Sequence, residues 1–319
     1  MLNKRSDYLV VLVATYNRID LLKRTLDSIA TGTRCSHEII VIDGGSTDGT
    51  IEYLQSHSGI TPVFQGQLVG AARCYNHAWR QIESKYTCWL SDDTEIVDGT
   101  LDLAVSILEA HPEIGMVGLK IKDTLGPWKT EPYIGGLSPY RILNCNHGVL
   151  ATSLLKSVGY FNESYHSYMI DPDLTASVLC TGKKVVMTKQ ISVLHHRKWA
   201  EHDGKDKIMR LKMSGFDNEN KKIYREKFKF LENSPIFKVR LKAGLGYYLG
   251  RILFLRSKPD AVRLSLNRRD WVNITRGRFI RFTDPLENIR HPYHLVQRIP
   301  RTLLTMEGNP YRHLVGLDN

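Results

Sequence analysis

The chain has 319 residues, 42% of them apolar and 24% charged, with a formal net charge of +11. That length exceeds one small domain and suits an α/β domain with an appendage, and the composition excludes a disordered or membrane-embedded body. The charge is segregated: residues 205–319 hold 25 Lys+Arg against 11 Asp+Glu, a net of +14, which leaves 19 against 22, or −3, for residues 1–204. A tail this basic is expected to meet an anionic surface or to serve as a solubilising face, and the composition shift sets a boundary at residue 204.

Residues 8–15 (YLVVLVAT) form a continuous apolar, β-branched run, which predicts a strand buried on both faces rather than a signal peptide. A helix follows, with Asn17 as its expected cap, Asp20 in its first turn and Ile19, Leu22, Leu26 and Ile29 on one stripe. EIIVID (38–43) is the second strand, followed by the turn Gly44-Gly45-Ser46-Thr47-Asp48-Gly49 and a helix through Tyr53 and Leu54. Thr61 to Gln65 and Ala71 to Glu83 make a third strand and helix, and Thr87 to Ser91 a fourth strand that ends on Asp92 and Asp93. Beyond Gly99 come a helix (Leu101 to Glu109), a strand near Gly115 to Ile121 and a long Gly/Pro-rich loop from Gly126 to Pro139. This alternation predicts a doubly wound, mostly parallel sheet with helices on both faces, whose ligands sit beyond the carboxyl ends of the strands.

The last third reads as mainly helical, with an amphipathic basic helix from Ile236 onward. Downstream, R-R-D-W (268–271), R-G-R-F-I-R-F (276–282) and H-P-Y-H (291–294) interleave aromatic and basic side chains, a pattern that suits headgroups, glycans or single-stranded nucleic acid. The longest apolar run, Leu241 to Leu255, is broken by Lys242 and Arg251 and too short to span a bilayer. Cys35, Cys74, Cys88, Cys145 and Cys180 form no C-x-x-C pair and read as reduced thiols. A cytoplasmic protein, peripheral on an anionic membrane face through its tail, is the expectation.

Adjacent carboxylates at a strand end repel unless a cation compensates, so Asp92 and Asp93 point to a divalent ion with oxygen ligands. Glycines after Asp43 let a flat ligand approach the backbone. The motifs A-T-Y-N-R (14–18), V-I-D-G-G-S-T-D-G-T (41–50) and L-S-D-D-T-E (90–95) resemble the inverting family-two glycosyltransferases of the GT-A fold. So do G-A-A-R-C-Y-N (70–76), G-Y-F-N-E-S-Y (159–165), D-P-D-L (171–174) and V-L-H-H (193–196), and together the motifs cover about the first 200 residues.

The resemblance implies a catalytic domain over 1–204, with nucleotide-sugar binding in 1–98 and the acceptor half in 99–204. Thr15, Tyr16, Arg18 and Gly45 would line the donor pocket, Asp43 would accept a hydrogen bond from a pyrimidine, and Arg73 would reach the base or diphosphate. Asp92 would lie near the ribose or sugar, while Asp93 would hold Mg²⁺ or Mn²⁺ on the donor diphosphate. His195, favoured over His196, would be a further metal ligand. Asp171 would be the general base, with Asp173 as its rival. Two positions depart from the family pattern: Ser91 stands where an aspartate is common, and Ile170 where a glutamate is usual.

The implied activity is inverting transfer from a UDP- or dTDP-type sugar to a hydroxyl of a glycan or lipid-linked acceptor, in cell-surface polysaccharide or glycolipid synthesis. A nucleotidyltransferase or other nucleotide-sugar enzyme, and a degenerate non-catalytic binder, are the competing readings. No nucleic-acid partner is expected.

Overall fold

The computed structural model describes residues 8–125, 135, 138–140, 142–165, 169–196, 218–233, 280–281 and 292–316. The expected helix from residue 236, the motif at 268–271, most of 276–282 and most of the loop 126–139 lie outside them.

The apolar runs form strands Leu9–Thr15 (β1), His37–Asp43 (β2), Thr61–Phe64 (β3) and Tyr86–Ser91 (β4), which alternate with helices Ile19–Gly32 (α1), Thr50–Ser56 (α2) and Ala71–Trp79 (α3). There follow Thr94–Ile96 (β5), Thr100–Ala110 (α4), Ile114–Gly118 (β6), Ile121–Asp123 (β7), Gly148–Ala151 (β8), Thr152–Ser157 (α5), Ile170–Cys180 (α6), Lys184–Thr188 (β9) and Val193–His195 (β10). The described part of the last third adds a helix over 218–227 (α7), strands Ile280–Arg281 (β11) and Tyr293–Gln297 (β12), and the short helix Arg301–Leu304 (α8). It therefore contributes strand as well as helix to a segment expected to be mainly helical.

The main sheet runs β11-β12-β9-β6-β8-β4-β1-β2-β3. β3, β2, β1 and β4 are parallel to one another, and β6 is parallel to β9. β8 is antiparallel to both β4 and β6. A second sheet, β5-β10-β7, stands beyond the carboxyl end of β4. The strand expected near 115–121 is split between β6 and β7, because the chain passes from the large sheet to the small one at Leu119 and Lys120. There the Leu119 amide bonds His147 O and the Lys120 amide bonds Thr188 Oγ1.

Strand alternation divides the core. Leu9, Val11 and Val13 pack with Leu22, Leu26 and Ile29 of α1 and with α4, whereas Val10, Leu12, Ile40 and Ile42 pack with α3 and α6. Asn17 does not cap α1: its backbone is left-handed at φ 52°, and its side chain accepts from the Thr47 amide at 2.7 Å. The Ile19 amide is capped instead by Asp48 Oδ2 at 3.0 Å, so the glycine-rich turn after β2 is laced to the start of α1.

The C-terminal residues enter the α3/α6 side of this core. Tyr224 and Phe228 of the 218–228 segment are fully buried there, with Ile299, Leu303, Leu304 and Tyr311 beside them. Burying side chains of that size contributes about 2–3 kcal/mol each. An ionic clamp accompanies them: Lys227 Nζ donates to Asp173 Oδ1 at 2.6 Å, and Tyr165 donates to Asp173 Oδ2 at 2.7 Å. Tyr311 donates to Ser177 Oγ at 2.8 Å on the same helix. Removing one member of a buried pair strands the other charge. Lys227→Met is therefore expected to lower the unfolding free energy by about 3 kcal/mol in a urea titration; a loss below about 1 kcal/mol would show that the clamp does not hold α6.

Candidate functional site

The register of β1 with β2 sets Thr15 beside Asp43, and β1 with β4 sets Ala14 beside Ser91, so three strand ends open on one crevice. Asp43 is fully buried. Its Oδ2 accepts from the Gly45 and Ser46 amides at 2.9 and 3.0 Å, and its Oδ1 has no hydrogen-bond partner among the described residues. A buried acceptor without a donor is costly, and an incoming N–H relieves that cost. Gly45 is required twice over: its φ is +91°, and a Cβ there would stand 2.6 Å from Gly66 O. Tyr16 and Leu68 flank Gly44 and are 41% and 65% exposed, giving an apolar ledge beside the unsatisfied acid.

Thr15 Oγ1 donates to Asp92 Oδ2 at 2.9 Å. Arg18 Nη1 bridges Asp92 Oδ1 at 3.0 Å and Asp93 Oδ2 at 3.2 Å. Burial drives the Asp92 carboxyl upward and is only partly offset by Arg18. Asp93 feels the same burial, but His195 and Arg18 outweigh it and hold the carboxyl down at about 2. His195 Nε2 lies 3.2 Å from Asp93 Oδ1, and its Nδ1 lies 3.1 Å from Asp123 Oδ1. His196 faces elsewhere, with Nε2 at 2.7 Å from Glu95 Oε1 and Nδ1 at 2.9 Å from the Thr124 hydroxyl. Arg24 also pairs with Glu95.

The residues present fit a divalent cation. Asp93 Oδ1 is buried, and the partner it faces is the His195 imidazole Nε2 at 3.2 Å, an oxygen and a nitrogen that can share a positive charge. Among the described residues no cluster of three or more His, Cys, Asp or Glu has metal-ligand geometry. The protein would thus supply Asp93 and His195, with phosphate oxygens and water completing the shell, as is usual for Mg²⁺.

Asp171 occupies the first turn of α6, just after Met169, whose φ of 83° is strained for a side chain of that kind. Burial pushes its carboxyl up to about 6, moderated by Asn144 Nδ2, which donates to Asp171 Oδ2 at 2.9 Å and to Asn146 Oδ1 at 2.7 Å. Asp173 is fully enclosed and committed to Lys227 and Tyr165. The segment 144–147 connects the two halves of the site, since Asn144 holds Asp171 while the His147 ring lies 6.4 Å from that of His195.

The structure thus brings together Thr15, Arg18, Asp92, Asp93 and His195, with Asp43, Gly45 and Tyr16 on the adjoining strand end. Arg73 stands apart from the acid cluster: it is exposed, 3.8 Å from Glu163 Oε2, and lines a cavity of about 560 Å³ with Arg80, Tyr160 and Lys227. Asp123, Asn144 and His147 were not reached by sequence reasoning. Asp123 matters only through the β7–β10 register, and the asparagine and histidine lie in a connection with no periodic signal.

Residues 10–157 match the family model described as glycosyl transferase family 2. The chain is 24% identical over 245 residues to an N-acetylglucosaminyl-diphospho-decaprenol L-rhamnosyltransferase of Mycobacterium tuberculosis, covering 63% of this chain and 79% of that protein. Among solved structures, it is similar to TarS of S. aureus, with a TM-score of 0.51 and 20% identity over 60% of this chain and 37% of that one. It also resembles the mannosyltransferase PcManGT of Pyrobaculum calidifontis in complex with GDP-Man and Mn²⁺, with a TM-score of 0.51 and 18% identity over 84% of this chain and 86% of that one. The likenesses to solved structures establish a GT-A fold, and the span that matches the glycosyl transferase family 2 model, residues 10–157, carries the motifs that build the acid cluster.

Proposed function

We propose that this protein is an inverting glycosyltransferase that moves a sugar from a uridine or thymidine diphosphate donor to a hydroxyl of a glycan or lipid-linked acceptor in cell-surface glycan synthesis. The observation that carries this reading is a pair of differently tuned carboxylates linked through the segment 144–147, which touches Asp171 at Asn144 and His195 at His147. Asp93, at about 2, stays ionised, whereas Asp171, at about 6, is suited to take up a proton near neutral pH.

The unsatisfied Asp43 oxygen and the Tyr16/Leu68 ledge suit a planar pyrimidine that presents an N–H. Thr15 orients Asp92 toward the ribose or sugar, and Arg18 supplies fixed positive charge where the diphosphate lies. Asp171, held by Asn144, removes the acceptor hydroxyl proton as that oxygen attacks the anomeric carbon from the face opposite the diphosphate. The bond to the diphosphate oxygen breaks in the same displacement, which inverts the anomeric configuration, and the nucleoside diphosphate leaves. A Mg²⁺ or Mn²⁺ ion on Asp93 and His195 would offset the charge that grows on the leaving group.

The related rhamnosyltransferase's name specifies a diphospho-lipid acceptor, and TarS was solved with UDP-GlcNAc, which supports this substrate class. The mannosyltransferase relative holds GDP-Man, so the pyrimidine preference rests on Asp43 alone. No helix among the described residues is long and apolar enough to cross a membrane. The proposed attachment to an anionic membrane face therefore rests on the charge of residues 205–319, mostly outside the described part.

In a thermal-shift panel, uridine or thymidine diphosphate is expected to raise Tm more than guanosine diphosphate does, and the rise should grow with Mn²⁺. A guanosine preference would overturn the pyrimidine pocket, and no response to any nucleotide would overturn the donor site. The rate at saturating substrates should climb as pH rises through about 6 and then level off, because only ionised Asp171 accepts a proton. Asp171→Asn should lower kcat by about 10²–10⁴-fold and abolish that limb.

The same shift fixes the sign of a stability effect. Folding raises this carboxyl, so its contribution is favourable below the unfolded value near 3.8 and is lost as pH climbs through about 6. Asp171→Asn should thus stabilise the protein by roughly 1–3 kcal/mol near neutral pH, and not at pH below about 4. Unchanged turnover would remove Asp171 from the mechanism.

A further inference from the structure

We infer that Asp123 is a positioning residue that fixes His195 with its Nε2 toward the cation site at Asp93. This rests on the reading of Asp93 and His195 as cation ligands. In the small sheet, His195 is in register with Thr94 of β5 on one side and Asp123 of β7 on the other. Asp123 has no exposed surface and His195 is 7% exposed, so the contact is formed away from water. His195 has a carboxylate oxygen at each ring nitrogen, Asp123 Oδ1 at 3.1 Å from Nδ1 and Asp93 Oδ1 at 3.2 Å from Nε2.

These two carboxylates are not equivalent. Asp93 is at the crevice and is shared with Arg18, whereas Asp123 is sealed within the sheet. When a cation takes the Nε2 lone pair, the one proton left on the ring is on Nδ1, where Asp123 accepts it. A cation then finds an oxygen and a nitrogen already oriented, which is what a carboxylate behind a ligating histidine provides. The backbone completes the clamp: the Thr124 amide donates to His195 O at 3.0 Å and the His196 amide to Asp93 O at 2.7 Å. His196 offers the internal contrast, since Glu95 and the Thr124 hydroxyl occupy its two nitrogens.

The test measures Mn²⁺ affinity in the presence of saturating uridine diphosphate, by the free-ion electron paramagnetic resonance signal, for the full chain and its variants. Asp123→Asn should weaken Mn²⁺ binding by about 10–100-fold while metal-free uridine diphosphate affinity stays unchanged. His195→Ala should weaken Mn²⁺ binding at least as much, and the double variant no further. Loss in His195→Ala with none in Asp123→Asn would overturn the positioning role alone; no loss in His195→Ala would overturn the ligand reading and this inference with it. In case Asp123→Asn fails to fold, the wild-type protein decides the matter. Its metal-free ¹⁵N imidazole spectrum at alkaline pH should show His195 protonated at Nδ1, and an Nε2-protonated ring would contradict the proposal.

Discussion

Carboxylates from neighbouring strand ends are packed where little water reaches them, and their repulsion must be offset for the sheet to close. Asp92, Asp93 and Asp123 share that space with Arg18, Thr15 and His195. The compensating groups come from two places: His195 ends strand β10, and Arg18 is supplied by a turn. Arg18 sits in the turn between β1 and α1, which is held by partners from the turn after β2: Ser46 accepts from the Asn17 amide, Asn17 accepts from the Thr47 amide, and Asp48 caps Ile19. The glycine-rich turn and the acid pair are thus parts of one mechanical unit, and Gly45 is the residue that lets the turn close against Gly66.

Asp171 is embedded in the opposite kind of environment. No cation faces it among its named partners, and its acidity is set by burial against one asparagine donor. Asp93 and Asp171 are therefore driven in opposite directions by their surroundings, the arrangement the proposed mechanism needs to separate charge stabilisation from proton transfer. The strained Met169 and the Lys227–Asp173 clamp fix the helix that carries Asp171, so Lys227 is tied to the placement of the proposed base as well as to the core.

Much of this was legible in the residues themselves. The apolar runs ending in Thr15, Asp43 and Ser91 marked parallel strands, and the rule that ligands gather at their carboxyl ends located the crevice. The antiparallel β8 was not legible, because a four-residue strand carries too little alternation to read. Asn17 was misread as a cap because its type favours that role, yet the same side chain serves the neighbouring turn better. Asp123 and Asn144 could not be found from the chain alone, since their partners lie 72 and 27 residues away and meet them only through the fold. The same holds for the β12 pairing with β9, which brings residues past 290 onto the sheet.

The central claim is that a pyrimidine-recognising acid, a cation-holding acid and a proton acceptor surround one crevice. Soaking crystals with uridine diphosphate and Mn²⁺ and collecting anomalous data would test it directly. The account predicts a manganese peak against Asp93 and His195, with the base at Asp43 and the terminal phosphate pointing toward Asp171. A manganese site away from Asp93, or a nucleotide bound on another face of the sheet, would contradict it.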